Sequence, residues 1–164
     1  MAIKRGFSLI ELVVVIGLLS LLMLAISSTM LMSIISSNRI RTLSTVKNAG
    51  TYALSRIQNM LRNSKDIVSC DSANSSITLT NPDGDNTTLA TEVVGSYTAI
   101  ASNSGTYLTP SNTNVTSFTL TCEPSDAEPT FVKVSYDLKD NLSTRKSVES
   151  PTLHFETSIN LRNE

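Results

Sequence analysis

The sequence predicts an α+β protein in which one long N-terminal helix, membrane-spanning in its first half, packs in its second half on a C-terminal antiparallel β-sheet head. Three observations lead there. Residues 12–38 contain no charged side chain. Beyond them apolar residues recur at spacings of three and four, as on one face of a helix, and from about Ile67 the period falls toward two in a background of Ser, Thr, Asn and Asp. A chain of 164 residues has room for one modest domain plus such a helix.

The chain opens Met1-Ala2-Ile3-Lys4-Arg5-Gly6, continues Phe7-Ser8-Leu9-Ile10-Glu11 and then runs apolar from Leu12 to Asn38. As a helix this run spans roughly 40 Å, more than the roughly 30 Å of hydrocarbon in a bilayer. Lys4 and Arg5 ahead of it hold the N-terminus in the cytoplasm and send the rest outward, whereas Arg39 and Arg41 pull weakly the other way. A secretory signal is cut after its apolar region at a small residue. Here the small residue, Gly6, precedes it.

The segment Gly6-Phe7-Ser8-Leu9-Ile10-Glu11, between a basic leader and an apolar run, closely resembles the cleavage and methylation signature of type IV prepilins and type II secretion pseudopilins. The resemblance covers about the first 30 residues in detail and the remainder only in layout. It implies that a prepilin peptidase cuts between Gly6 and Phe7 and methylates the new amine of Phe7. It also implies a pilin-like fold, a single-pass protein of the bacterial inner membrane with its N-terminus in the cytoplasm, and later residence in an extracytoplasmic filament. The partners so implied are other pilin or pseudopilin subunits through the helix, the peptidase, the membrane, and an assembly platform with its ATPase. Major pilins often carry a proline in the middle of this helix. Ser27-Ser28-Thr29 stands in that stretch instead, which leans toward a minor pilin or a pseudopilin.

Glu11 needs a physical reason, because a carboxylate in a membrane helix costs about 3 kcal/mol even on lenient insertion scales. Cleavage before Phe7 supplies a cationic amine one turn away, and an acid also suits the first turn of a helix. By the resemblance, Glu11 neutralises the amine of a neighbouring subunit during assembly; pairing within one chain and pairing between chains are equally open to the sequence.

Beyond Asn38 the residues Leu43, Val46, Gly50, Ala53, Ile57 and Met60 form one stripe, and the helix is expected to continue to about Asn63 or Lys65. The division is thus 1–6 leader, 7–65 helix (7–38 transmembrane and assembly, 39–65 amphipathic) and 66–164 exported β-rich head. Ile77 and Leu79 alternate with Thr78 and Thr80 before Asn81-Pro82-Asp83-Gly84-Asp85-Asn86, which reads as a hairpin turn. Further strands are expected near 87–94, 97–101, 115–122, 130–138 and 153–161, with 102–114 and 140–151 as polar loops. In the last strand Leu153, Phe155, Thr157, Ile159 and Leu161 share one face and His154, Glu156, Ser158 and Asn160 the other.

Charge is split along the chain. Residues 1–65 hold eight basic side chains and one acid, a net of +7, whereas residues 66–164 hold five basic and thirteen acidic, a net of −8. The acidic half argues against bulk binding of nucleic acid; the basic half is open to it, but its charges serve topology and subunit contacts equally well, and no nucleic-acid partner is expected. Cys70 and Cys122 are an even pair in an exported domain and are compatible with one disulfide; two buried free thiols are the alternative.

No enzymatic constellation and no cofactor fingerprint is evident. Asn81, Asp83 and Asp85 have the alternate-oxygen spacing that begins a calcium loop, but the glycine and distant glutamate of an EF-hand do not follow in place, so a plain turn is the simpler reading and no metal is expected. His154 is the single histidine, which leaves no spare base for a triad and no histidine cluster for a metal, and it reads as a solvated or hydrogen-bonded side chain. Asn74, Asn86, Asn114 and Asn141 open formal glycosylation acceptors that follow from composition. The expected function is a structural subunit, a minor pilin or pseudopilin of a pilus or secretion pseudopilus. The alternative is a ligand-binding adhesin or a DNA-uptake pilin subunit.

Overall fold

The computed structural model describes residues 8–103, 105–124, 129–141 and 151–161. One helix, α1 (Leu9–Asn63), is followed by seven strands: β1 (Asp66–Asp71), β2 (Ser76–Thr80), β3 (Asn86–Val94), β4 (Tyr97–Ser102), β5 (Thr113–Glu123), β6 (Phe131–Asp140) and β7 (Leu153–Asn160). Contacts divide the chain into two units between Ile40 and Arg41.

In the first unit the described residues from Leu9 onward are helical and all are exposed. Four hydroxyls in it are satisfied locally. The hydroxyls of Ser20, Ser27, Ser28 and Thr29 donate to the carbonyls of Ile16, Met23, Ala25 and Ile26 at 2.8, 2.8, 2.9 and 2.9 Å. Hydroxyls turned back on their own helix reduce the polarity that these four positions show to their surroundings.

In the second unit the helix buries Thr42, Val46, Gly50, Ala53, Ile57 and Leu61. The inner positions are those the sequence predicts, but the ends differ: Thr42 and Leu61 replace Leu43 and Met60, with Leu43 38% exposed and Met60 only partly buried. Helical geometry explains the shift. Once Val46 and Ile57 face inward, the inward positions one turn outside them lie four residues away, and those three residues away fall on the flank.

Two antiparallel sheets receive this stripe, in the orders β1-β2-β3-β4 and β5-β6-β7. The sequence predicts one sheet, and the break has a local cause. Ala101 of β4 bridges to Tyr107, the Leu108 amide donates to the Ile100 carbonyl at 2.7 Å, and Thr109 Oγ1 accepts the Ile100 amide at 3.1 Å. The chain after β4 thereby occupies the free edge of β4, and β5 begins a new ladder. The segment expected as a polar loop accordingly carries the buried residues Leu108, Thr109 and Thr113.

A single apolar cluster joins Val46, Ala53, Ile57 and Leu61 of the helix to Ile77, Leu79, Leu89 and Ile100 of the first sheet and to Leu120, Val132, Val134, Leu138 and Ile159 of the second. Strand alternation supplies it, since Val132, Val134, Tyr136 and Leu138 are the buried members of β6. Two contacts fix the helix to the second sheet. The Tyr136 hydroxyl, buried, donates to the Gly50 carbonyl at 2.6 Å, and Gln58 Nε2 donates to Thr157 Oγ1 at 2.6 Å.

Candidate functional site

Lys4, Arg5, Gly6 and Phe7 lie outside the described residues. The description begins at Ser8, whose side chain and carbonyl start the helix. Ser8 Oγ accepts the Glu11 amide at 3.3 Å, and the Ser8 carbonyl accepts the Glu11 and Leu12 amides at 3.1 and 3.3 Å. Ser8 therefore caps the helix and Glu11 sits at its third position, where an acid meets the positive end of the helix dipole. This cap was not picked out from the sequence, although the Ser-x-x-Glu spacing of a capping box is the pattern that signals it. Glu11 is exposed, as are the apolar residues that follow it.

That exposure is the chief physical feature of the first unit. Leu, Ile, Val and Met side chains from Leu9 to Ile35 stand between 44% and 82% exposed, and the helix contains a stretch of mean hydropathy 2.9, long and apolar enough to cross a membrane. Apolar surface of this extent is not stable against water and marks a membrane or protein contact.

The Prokaryotic N-terminal methylation motif, as a family, matches residues 1–27. The chain carries a prepilin-type methylation motif. No curated protein and no solved structure matches the chain. The motif covers the Gly6-Phe7 peptide, the Ser8 cap, Glu11 and the first half of the apolar stretch, and behind it the long helix and antiparallel sheets complete a pilin-like α+β layout. Such a motif implies processing by a prepilin peptidase and assembly with other pilin-type subunits. The motif's family is structural rather than enzymatic, and the apolar helix fits anchorage in the inner membrane.

In the head of this pilin-like chain, Cys70 of β1 and Cys122 of β5 are joined by a disulfide with Cα atoms 6.6 Å apart, which ties the edge of one sheet to the edge of the other. Asn81, Asp83 and Asp85 come together as a turn. The Asn81 amide donates to the Asp85 carbonyl at 2.8 Å, the Gly84 amide to the Asn81 carbonyl at 3.0 Å, and the Asp85 amide to Asp83 Oδ1 at 3.1 Å. Gly84 takes φ +97°, open to glycine alone at low cost. The Asn81 side chain is turned away from the two acids and donates to Thr87 Oγ1 at 2.9 Å. Among the described residues no group of three or more His, Cys, Asp or Glu is arranged to hold a metal ion.

His154 is hydrogen-bonded and exposed. Its Nδ1 lies 2.7 Å from Asp137 Oδ1 and its Nε2 3.6 Å from Glu156 Oε2, while Glu156 Oε1 is 2.7 Å from Lys133 Nζ. The bond to Asp137 is the main cause that raises the His154 pKa above 6.5, with Glu156 adding to it and partial desolvation opposing. The hydrogen bond from Lys133 in turn holds Glu156 below the usual carboxylate range. These cross-strand pairings, Asp137 opposite His154 and Ser135 opposite Glu156, depend on register and were invisible in the sequence.

Proposed function

We propose that this chain is a minor pilin or pseudopilin, a subunit cut between Gly6 and Phe7, methylated on Phe7, held in the inner membrane by residues 7–38 and then drawn into a pilus or secretion pseudopilus. The observation that carries the reading is the coincidence of the methylation motif at residues 1–27 with an apolar helix exposed on every side. Residues 1–6 act as leader, Lys4 and Arg5 hold it in the cytoplasm, and the head from residue 66 onward is exported. In this reading an assembly platform and its ATPase extract the subunit.

Ser8 and Glu11 supply the local chemistry. The cap fixes the helix start at Ser8, and Glu11 follows Phe7 by four residues in sequence, so that its carboxylate is assigned as the partner of a methylated ammonium at Phe7, its own or a neighbour's. An ion pair removes the cost of carrying either charge into an apolar bundle. Glu11→Ala is expected to leave processing intact and to reduce incorporation into filaments; normal incorporation would remove the assigned role. The reading as a whole is tested by the mass of the membrane form. The expected product begins at a methylated Phe7, and a mature chain that begins at Met1 overturns it.

A further inference from the structure

Between Arg41 and Lys65 the chain carries five cations, Arg41, Lys47, Arg56, Arg62 and Lys65, and no acid. All five are exposed: Arg41, Lys47, Arg56 and Arg62 lie off the buried stripe that runs from Thr42 to Leu61, and Lys65 follows the helix end at Asn63. Among the described residues none of the five is in an ion pair; the ion pairs found there join Lys133 and His154 to Glu156 and Asp137. Tyr52 stands midway along this outward face, 60% exposed, one helical turn before Arg56. Among the described residues this run of like charge has no ion-pair partner, and a face of one sign attracts a surface of the other. Residues 66–164, with thirteen acids against five bases, have the complementary sign, and Asp66, Asp71, Asp83, Asp85 and Glu123 are exposed there.

We propose that the outward face of α1 between Arg41 and Arg62 docks against the acidic β head of a second copy of this chain, a contact separate from the apolar stretch 12–38. The proposal rests on the reading of the chain as an assembling subunit and adds where the exported parts meet. Tyrosine and arginine are the residue types that most often dominate interface energies, and here they share one face. Copies anchored in one membrane with one orientation present face to head at high effective concentration. The other polyanion to which such a face is suited is a nucleic acid. The acids of the head in the same unit repel phosphates while they attract a second copy's cations, and this favours the second copy.

The test uses the full chain produced together with its assembly apparatus, in mixed isotopic labelling, with a photo-cross-linking amino acid in place of Tyr52. The expected result is a dimer-sized product in which position 52 of one copy joins a peptide from residues 66–164 of another. Arg56→Glu combined with Arg62→Glu is expected to lower its yield about tenfold, and high salt to lower it as well. Arg56→Gln combined with Arg62→Gln is expected to fall between. Intact Cys70–Cys122 pairing on a non-reducing gel verifies that these variants fold. Cross-links confined to residues 41–65 of the second copy, to nucleic acid or to another protein overturn the proposal, as does a yield unaffected by charge reversal. The mass of the same sample separates the two levels: absence of a product starting at methylated Phe7 defeats the subunit reading, whereas correct processing with any of these other cross-linking results defeats only the docking face.

Discussion

Gly50 occupies a helix interior, where glycine is about 1 kcal/mol less favourable than alanine. Its place follows from Phe155, whose ring fills the position a Cβ would take, and from Tyr136, which stacks on Phe155 at 5.3 Å and donates to the Gly50 carbonyl. Phe155 is thus held on its far side and cannot swing away freely. Gly50→Ala is expected to destabilise the head by about 1–3 kcal/mol despite the gain in propensity, measured by denaturant unfolding. Tyr136→Phe removes the hydroxyl and is expected to cost about 1 kcal/mol in the same assay, since the Gly50 carbonyl retains its helical partner. His154 makes a prediction of a different kind. Its proton is held mainly by the Asp137 carboxylate, so the folded pKa lies above 6.5, and the interaction stabilises the head fully below pH 6.5 and fades as pH rises through the folded value. Proton NMR of the imidazole is expected to show a midpoint above 6.5 that falls in Asp137→Asn; an unmoved midpoint would show that the pairing does not govern the titration.

Elements show where the chain could be read in advance and where it could not. Alternation identified β6 and β7 because every second residue from Val132 to Leu138, and from Leu153 to Ile159, faces the core side. β1 was hard to read because of a bulge between Ile67 and Ser69, which leaves Val68 and Ser69 both exposed and breaks the period within six residues. A second bulge between Val115 and Ser117 does the same inside β5. The helix was legible for its apolar length, yet its stripe slipped by one residue at each end, since Leu43 and Met60 are as apolar as the residues actually buried. The methylation motif was legible because cleavage chemistry demands adjacent residues, whereas the Lys133, Asp137, His154 and Glu156 cluster needs a cross-strand register that no local pattern encodes. One element-scale prediction concerns the cystine, which closes a loop with a sequence separation of 52 and so restricts the unfolded chain by about 4 kcal/mol in the entropy picture. Cys70→Ser combined with Cys122→Ser is expected to lower unfolding stability by up to that amount; a variant as stable as the parent would mean that the two sheets hold together without their bond.

For the whole molecule, the two units have opposite needs. The unit from Arg41 onward buries its apolar residues in a core of its own, while the helix before it keeps its Leu, Ile, Val and Met side chains exposed. Folding alone therefore satisfies only the larger unit, and lipid or neighbouring helices must satisfy the other. A chain lacking residues 1–40 is expected to fold with the cystine formed and to stay in solution after detergent is removed, whereas the full chain partitions into membranes; sedimentation of both forms reads the difference. Cystine formation has a consequence for following the protein in cells. Thiols oxidise on the outer side of the cytoplasmic membrane and stay reduced within, so under the proposed orientation each copy records its own passage. Copies whose C-terminal portion has not been translocated keep two sulfhydryls open to maleimide, translocated ones keep none, and a gel shift after alkylation counts the two populations at any moment of growth.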